Sequence, residues 1–324
     1  MKKLNKILLI LILCIAVCGC ERCEEEEIGP SVQTLKVENV TMSSALVSGV
    51  VEDPGSDVIT EKGICWSSDE SEPDIFANKA KVNAWEEGEF TVELKDLDPE
   101  TTYYVRAYAI NQFGIGYGEV LHFNYEWETI QDIDGNVYRI VTIGDQTWTM
   151  DNWKSTHYRD GSPISINEDD ENWKTGGPAL PMMCWYDNNR EENDSLYGAL
   201  YNYYAVANPL IAPEGWRVPS IEDYDQLQAF LGGYYVGGGK AKTTGPEWEA
   251  PNAGATNESH FSAMPGGGRS SGGFWDKGHN AYFMTTTLAG PGVMACIFYT
   301  EVPVFDTYMG TDFNTGFSLR LIKE

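Results

Sequence analysis

Three short segments of the sequence contain residue types that could carry out chemistry. Gly268-Arg269-Ser270-Ser271-Gly272 has the spacing of a serine nucleophile motif, which requires a strand before the serine and a helix after it. Glycines and a proline surround this segment, so the sequence predicts a loop without a nucleophile. Gly237-Gly238-Gly239-Lys240 lacks the spacing and the hydroxyl residue of a phosphate-binding loop. Asp132 to Asn136 has its glycine too early for a calcium loop and fits a tight hairpin turn.

The histidines and carboxylates form no metal or catalytic pattern. The four histidines are never paired at i,i+4, and the sequence has no H-E-x-x-H motif. Acidic residues are numerous enough that a glycosidase pair could lie among them. We therefore predict no catalytic residues, no metal and no cofactor, and keep a glycan-active enzyme as the alternative.

Aromatic residues near turn-forming residues are better candidates for a binding site. Trp248 follows a Gly-Pro pair and Trp275 comes shortly after a Gly-Gly pair, so both are predicted on loops, where function concentrates. The segment from Trp185 to Asn188 distantly resembles the W-N-D triplet of calcium-dependent lectins. We predict a ligand-binding site formed by Trp248, Trp275, Trp185, Asp187 and Asn188. The alternative is that the loop tryptophans fold back onto the core.

Of the seven cysteines, two lie in the N-terminal apolar segment and Cys20 is a candidate for lipid attachment; the other four, Cys23, Cys65, Cys184 and Cys296, are widely spaced and contain no C-x-x-C pair. This spacing excludes a zinc framework and a disulfide-dense scaffold. Two interpretations of Cys184 and Cys296 stay open, a disulfide bridge or two buried free thiols.

The N-terminal residues predict export and lipid attachment. Three lysines precede an apolar run, Ile7 to Val17, which fits a signal peptide and is too short to span a membrane. Val17-Cys18-Gly19-Cys20 resembles a lipobox, so we predict a signal peptide over 1–19 and lipidation of Cys20. Attachment to the membrane is expected through the lipid alone. The alternative is an ordinary cleaved secretory peptide.

The charge balance excludes nucleic acid as a partner. The chain carries 22 basic and 49 acidic residues, a net charge of -27. The predicted signal peptide contains three lysines and no acid, which leaves -30 on the mature chain. Such a surface repels nucleic acid.

Residues 20–31 are predicted to be an acidic, disordered tether because Glu24 to Glu27 repel one another. The tether resembles the acidic stretch after the lipid cysteine in surface lipoproteins of Bacteroides-like bacteria. That resemblance implies an outer-membrane lipoprotein exposed at the cell surface.

Residues 32–126 are predicted to form an all-β domain, because alternating apolar segments recur with turn residues between them. The segment from Leu97 to Ala109 resembles the L-x-P-x-T-x-Y stretch of fibronectin type III domains. That resemblance implies a tyrosine corner, in which the hydroxyl of Tyr103 binds the backbone. Alternation predicts that Val105 and Ala107 face the core and that Tyr108 faces outward.

Residues 127–324 combine predicted strands with one clear helix. Strands are predicted over 129–133, 137–143 and 146–150, with a hairpin turn at Gly135. Ser220 is the predicted N-cap of a helix, with Asp223 in the position of a capping box and Gly232-Gly233 at its end.

Five ordered motifs over 128–324 resemble the Fibrobacter succinogenes major paralogous domain. That family is similar in turn to the α+β, C-type-lectin-like fold of formylglycine-generating enzymes, whose reactive cysteine pair has no counterpart here. The calcium-dependent lectins' E-P-N and Q-P-D tripeptides are also missing from this sequence. The motifs are Asp134 to Trp148, Tyr197 to Asn202, Gly215 to Pro219, Phe261 to Arg269, and Gly316 to Arg320.

Two positions depart together from the family pattern. Ala212 and Leu321 stand where relatives carry cysteines. The resemblance implies a disulfide in relatives, and we expect apolar packing to replace it here.

These observations together predict a non-catalytic binding or display module for a glycan or a protein. The alternatives are a glycan-active enzyme of the cell envelope and a structural component of a surface layer.

Overall fold

The computed structural model describes residues 27–86, 88–175 and 177–324. The chain divides into two compact units, the first ending at Glu126 and the second spanning Trp127–Glu324. The predicted signal peptide, the lipidation site at Cys20 and the first three residues of the acidic run, Glu24 to Glu26, lie outside the described residues. Within the described residues, every helix is too short or too polar to cross a bilayer.

The first unit is a sandwich of two antiparallel sheets. One sheet has the order β1-β2-β5, and the other has the order β4-β3-β6-β7 with β8 also paired to β6. Val47, Ile64 and Val105 are among the apolar side chains buried between the sheets. This is the predicted fibronectin type III-like sandwich. Its strands are β1 Ser31–Glu38, β2 Ala45–Asp53, β3 Glu61–Ser67, β4 Asn78–Val82, β5 Glu89–Leu94, β6 Tyr103–Asn111, β7 Gly114–Tyr117 and β8 Leu121–Phe123.

The tyrosine corner forms as predicted. The backbone N–H of Asp98 donates to the hydroxyl oxygen of Tyr103 at 2.9 Å. Val105 and Ala107 are buried as expected from their alternation along β6. Tyr108 was expected to face outward but is fully buried. Its hydroxyl donates a hydrogen bond to Glu61, and Lys79 lies over its ring.

The folded unit begins earlier than the predicted tether allows. The backbone N–H of Ile28 donates to Ser56, and its carbonyl accepts from Ser56 and Asn111. Strand β1 already begins at Ser31. Residues 28–31 therefore belong to the sandwich, since three hydrogen bonds across the chain hold them in place.

The second unit is mostly β, with three sheets and few, short helices. The sheet orders are β15-β21-β11-β10-β9, β12-β13-β14 and β17-β16-β18-β19-β20. The second unit therefore contains less helix than the predicted α+β class implies. The strands are β9 Thr129–Gln131, β10 Val137–Ile143, β11 Gln146–Thr149, β12 Ser165–Ile166, β13 Met182–Cys184, β14 Leu200–Tyr201, β15 Trp216–Arg217, β16 Gly266–Ser270, β17 Gly273–Lys277, β18 Asn280–Ala289, β19 Gly292–Tyr299, β20 Phe305–Thr311 and β21 Ile322–Lys323.

Within the described residues, the α-helices of the second unit are α1 Arg190–Asn193, α2 Tyr203–Val206, α3 Ile221–Phe230 and α4 Gly237–Ala241, and 3-10 turns cover Asp170–Trp173, Tyr186–Asn188 and Pro209–Ile211.

Helix α3 confirms the predicted capping box. The N–H of Ser220 donates to the Asp223 carboxylate at 2.7 Å, and Arg217 donates to both oxygens of that carboxylate. The helix ends before Gly232 and Gly233, which both have positive φ.

A buried arginine joins the C-terminal motif to the rest of the second unit. Arg320 is completely buried and donates to the carbonyls of Thr149, Phe261 and Ser262 and to the side-chain oxygen of Asn152. Four charge-assisted bonds offset the cost of burying this cation.

Ala212 and Leu321 are buried in one apolar cluster of the second unit. The two positions therefore contribute apolar packing, as expected from the sequence.

Candidate functional site

The second unit has partly exposed aromatic side chains around the β16–β17 hairpin, with Phe274 and Trp275 on opposite sides of β17. We call this region the hairpin face and define it by Tyr186, Asp187, Phe274, Trp275 and Lys277. The rings of Tyr186 and Phe274 lie 5.1 Å apart between centroids. The face brings together two sequence-predicted regions, the Trp185–Asn188 segment and Trp275, which are about 90 residues apart in the chain.

The segment around Arg269 is a hairpin, and the prediction of a loop was wrong. Gly268 is paired with Trp275 and Arg269 with Phe274 across two antiparallel strands. A strand and not a helix follows Ser270, so the geometry of a nucleophile elbow is not formed.

Gly268 sets the position of the Trp275 ring. A Cβ at Gly268 would lie 2.8 Å from Cζ2 of Trp275 and 2.8 Å from Phe317. The Trp275 ring also meets Tyr282 and Phe317 edge-on, at centroid distances of 6.3 and 6.2 Å. The ring is therefore fixed on three sides and remains partly exposed.

A buried arginine holds the two halves of the hairpin face together. Arg269 is completely buried and lies between the rings of Trp173 and Phe274, at 5.0 and 4.5 Å. It donates to the side-chain oxygen of Asn188, to the carboxylate of Asp170 and to two backbone carbonyls. Its guanidinium therefore connects β17 and the Trp185–Asn188 segment through one rigid group.

Two adjacent residues beside Tyr186 have a left-handed backbone. Asp187 and Asn188 have φ values of 52° and 54°, a region in which Asp and Asn are enriched among residues other than glycine. The bond from Arg269 to Asn188 and a bond from Asn193 Nδ2 to the Tyr186 carbonyl at 3.0 Å hold this turn. A left-handed backbone at residues other than glycine persists where the surroundings enforce it and is frequent at functional sites.

The two charged side chains of the hairpin face differ in whether they already have hydrogen-bond partners. Lys277 lies over the rings of Tyr186 and Tyr197 and donates to Glu192 and Asn193. The exposed carboxylate of Asp187 accepts no hydrogen bond from the residues that the structure describes. The group that is ready to bind a ligand is therefore an acceptor beside aromatic rings.

Trp248 is not part of this surface, so its predicted role in binding was wrong. Its side chain is 4% exposed, and its Nε1–H donates to Thr243 and to the carbonyl of Ala263 at 3.1 Å each. Lys242 lies over the ring at 5.2 Å. The loop tryptophan is folded back onto the core, which is the alternative that the sequence left open.

Trp185 supports the face from below. It is 4% exposed, its Nε1–H donates to Asp194 at 2.9 Å, and the Arg190 guanidinium covers its ring. Trp185, which the sequence predicted as a ligand-binding residue, therefore packs inside the fold, while its neighbours Tyr186 and Asp187 reach the surface.

Cys184 and Cys296 are free thiols, so the disulfide interpretation is wrong. They are buried in different apolar clusters, on strands of different sheets. Burial raises the pKa of the Cys184 thiol to about 12, although the neighbouring Arg269 acts in the opposite direction. Burial also raises the pKa of Cys296 well above its ordinary value. Both thiols are therefore protonated and unreactive at neutral pH.

Sequence reasoning missed Tyr186, Phe274 and Arg269. A signal for Arg269 was present, since it lies in the segment tested as a nucleophile motif and between glycines that permit close packing. Within the described ranges, there is no group of three or more His, Cys, Asp or Glu side chains that could hold a metal ion.

The solved structures that resemble this chain include β-sandwich domains that match about a third of it. The sensor domain of the anti-sigma factor RsgI4 from Pseudobacteroides cellulosolvens is 15% identical, with a TM-score of 0.24, over 30% of this chain and 95% of that chain. The fibronectin type III domain of human collagen XX is 24% identical, with a TM-score of 0.23, over 29% of this chain and 88% of that chain. These TM-scores are low, and the first unit is assigned as a fibronectin type III-like sandwich from its strand order.

No curated protein matches this sequence significantly. The Fibrobacter succinogenes major domain family matches residues 141–323, which is more than half of the chain. The match begins within β10, so β9 and the turn at Gly135 precede it. The chain therefore belongs to the Fibrobacter succinogenes major domain family.

Proposed function

We propose that this protein is a surface lipoprotein of the outer membrane whose second unit binds a glycan without catalysis. The observation that carries the binding proposal is the hairpin face, in which Arg269 packs on Phe274 of β17 and donates to Asn188, the residue next to Asp187. The support for lipidation at Cys20 and for surface exposure is the N-terminal sequence pattern.

The chemistry of the hairpin face suits a sugar. A pyranose ring has apolar C–H faces that pack on aromatic rings and hydroxyl groups that donate to carboxylates. Partly exposed aromatic rings at Tyr186, Phe274 and Trp275 supply the first kind of contact, and Asp187 supplies the second. Binding sites commonly combine aromatic walls with a few placed polar groups.

The carboxyl groups favour binding over glycoside hydrolysis. A glycosidase needs one carboxylic acid whose pKa is raised so that it can donate a proton. Among the described residues, each carboxyl group with a resolved shift has a pKa below its ordinary value, because hydrogen bonds or cations outweigh burial. These groups are Glu61, Asp134, Asp151, Asp160, Glu222 and Asp223.

We also propose that the second unit has the C-type-lectin-like arrangement that its motifs imply. The support is the position of α3 directly after the Arg217-Val218-Pro219-Ser220 segment and the packing of the Gly316–Arg320 segment against β18. A lectin-like scaffold presents its loops and hairpins as a recognition surface, which agrees with a site at the β16–β17 hairpin.

A glycan array probed with residues 27–324 tests the binding proposal. We expect saturable binding to a defined glycan and at least a tenfold loss in Trp275→Ala. Asp187→Asn should also weaken binding about tenfold and should leave the fold intact, since asparagine tolerates a positive φ. Gly268→Ala should weaken binding as well, because the added Cβ displaces the Trp275 ring.

Trp85→Ala is the matched control, since it removes a tryptophan that is 76% exposed from the first unit. Binding that survives both Trp275→Ala and Asp187→Asn would place the site elsewhere. An array without any bound glycan would refute the glycan proposal and favour a protein ligand. Loss of membrane association in Cys20→Ser tests the anchor separately.

A further inference from the structure

A second concave site lies in the second unit, away from the hairpin face. It is a cavity of about 510 Å³. Trp153 and Ile211 contribute apolar surface to its wall, and His157, Arg159 and Glu214 contribute polar groups. None of these five residues belongs to the predicted binding site or to the hairpin face. A cavity of this size with an apolar wall and a few polar groups is typical of a small-molecule site.

Trp153 carries an unpaired donor in this wall. Its side chain is 1% exposed, and its Nε1–H has no hydrogen-bond partner within the described part of the chain. The ring is fixed by stacking on Tyr138 at a centroid distance of 4.2 Å. Nearly all buried polar groups in native proteins are paired, and an acceptor atom that reached this wall of the cavity would satisfy this donor.

The aspartates around the cavity already have partners. Asp132 accepts from the Asn136 backbone, the Asn136 side chain and the Tyr138 hydroxyl. Asp160 accepts from the backbone and the hydroxyl of Ser162. The exposed Arg159 guanidinium, in contrast, forms no ion pair with the described residues. Within the described residues, Arg159 and Trp153 Nε1–H are unpaired donors at the cavity, and the exposed Glu214 carboxylate is an unpaired acceptor.

His157 has a defined orientation at the cavity. Its Nδ1 lies 2.6 Å from Asp134 Oδ1, and the backbone and hydroxyl of Thr156 donate to the other oxygen. Burial acts to raise the pKa of Asp134, but these hydrogen bonds lower it overall, so the carboxylate is ionised at neutral pH. An ionised carboxylate only accepts, so Nδ1 of His157 carries a proton and Nε2 is the ring nitrogen left for a ligand.

We propose that this cavity binds a small hydroxylated monocarboxylate such as a uronic acid. The carboxylate accepts hydrogen bonds from Arg159 and from Trp153 Nε1–H, and hydroxyl groups form hydrogen bonds with His157 Nε2 and with Glu214. Arginine is suited to carboxylates because its planar fork donates two parallel hydrogen bonds. Arg159 is the only Lys or Arg among the described residues that line the cavity, so the site has a cation for one carboxylate.

Isothermal titration of residues 27–324 with D-glucuronate, D-galacturonate, methyl D-glucuronate ester and D-glucose tests this proposal. We expect saturable binding of at least one uronate at pH 7, with the methyl ester and glucose at least tenfold weaker. An ester that binds as tightly as the acid overturns the proposal, because the carboxylate would then make no contribution. Absence of binding by both uronates overturns it as well.

Variants locate the site and separate it from the hairpin face. Arg159→Gln should weaken uronate binding at least tenfold, and Trp153→Phe should do the same, since phenylalanine keeps an aromatic ring but lacks the N–H. Lys174→Gln is the control, because it removes an exposed cation elsewhere in the same unit. Trp275→Ala should leave uronate binding unchanged, so this inference stands or fails independently of the glycan proposal. Uronate affinity that is unchanged in Arg159→Gln contradicts the proposal even if Trp153→Phe does not fold.

Discussion

Arg269 donates from a completely buried guanidinium to the side-chain oxygen of Asn188, 81 residues earlier in the chain. This bond fixes a turn whose backbone is left-handed and places it beside the hairpin that carries Trp275. The candidate site is therefore organised by a side chain that no solvent-borne ligand can reach. Its rigidity limits the entropy that a bound ligand must lose on ordering the site.

Arg269→Lys should destabilise the second unit by about 3 kcal/mol, because lysine loses the planar fork and leaves buried carbonyls unpaired. Chemical denaturation, followed by a signal from the second unit, measures this change. Arg190→Lys is the matched control, since the Arg190 side chain is 56% exposed, and it should stay within about 0.5 kcal/mol of the wild type. Equal stability of Arg269→Lys and the wild type would show that the guanidinium bonds contribute little.

Tyr103→Phe should lower the free energy of unfolding of the first unit by about 1 kcal/mol. The substitution removes the hydroxyl that accepts from the Asp98 N–H at 2.9 Å. Tyr104→Phe serves as the control on the same strand, because no hydrogen bond of its hydroxyl is found among the described residues. The prediction fails if the two variants unfold at the same denaturant concentration.

Asp223 should make the second unit sensitive to acid. Burial acts to raise its pKa, but hydrogen bonds from Arg217 and Ser220 lower it below the ordinary value overall. A carboxyl with a lowered folded-state pKa stabilises the fold fully above its unfolded pKa of about 4, and this contribution is lost as the pH falls through the folded-state pKa.

Asp223→Asn should therefore cost about 1–2 kcal/mol near pH 7, and the difference from the wild type should shrink as the solution is acidified below about pH 4. Thermal unfolding at a series of pH values measures both effects. Glu128→Gln, an exposed substitution in the same unit, should show no such difference. A constant gap between Asp223→Asn and the wild type across this range would argue against the linkage.

The three cysteines of residues 27–324 should be reduced and unreactive in the folded protein. Burial raises the pKa of Cys65 to about 11 and that of Cys184 to about 12. Only the thiolate reacts, so a thiol reagent at pH 8 should modify none of the three until denaturant is added. Intact mass after alkylation in denaturant should show three modified thiols. Detection of a Cys184–Cys296 bridge would contradict the separate placement of their clusters.

The sequence by itself determined the ends of helix α3 and the inward-facing side of β6, because these features depend on residues that are neighbours in the chain. Ser220, Asp223 and the following glycines specify where α3 begins and ends, because caps involve backbone groups within one helical turn. The alternation of Val105 and Ala107 specifies the inner face of β6. The five ordered motifs were sufficient to predict the family of the second unit before any contact was known.

Tertiary structure alone decided which aromatic residues reach the surface. Trp248 and Trp275 both lie near glycines in the sequence, yet the first is buried against Thr243 and Ala263 and the second remains partly exposed. The partners of Arg269 lie 81 to 102 residues away, and no local pattern specifies them. Exposure and long-range hydrogen bonding arise when sheets pack together, so they depend on the whole fold and are not encoded in any short segment.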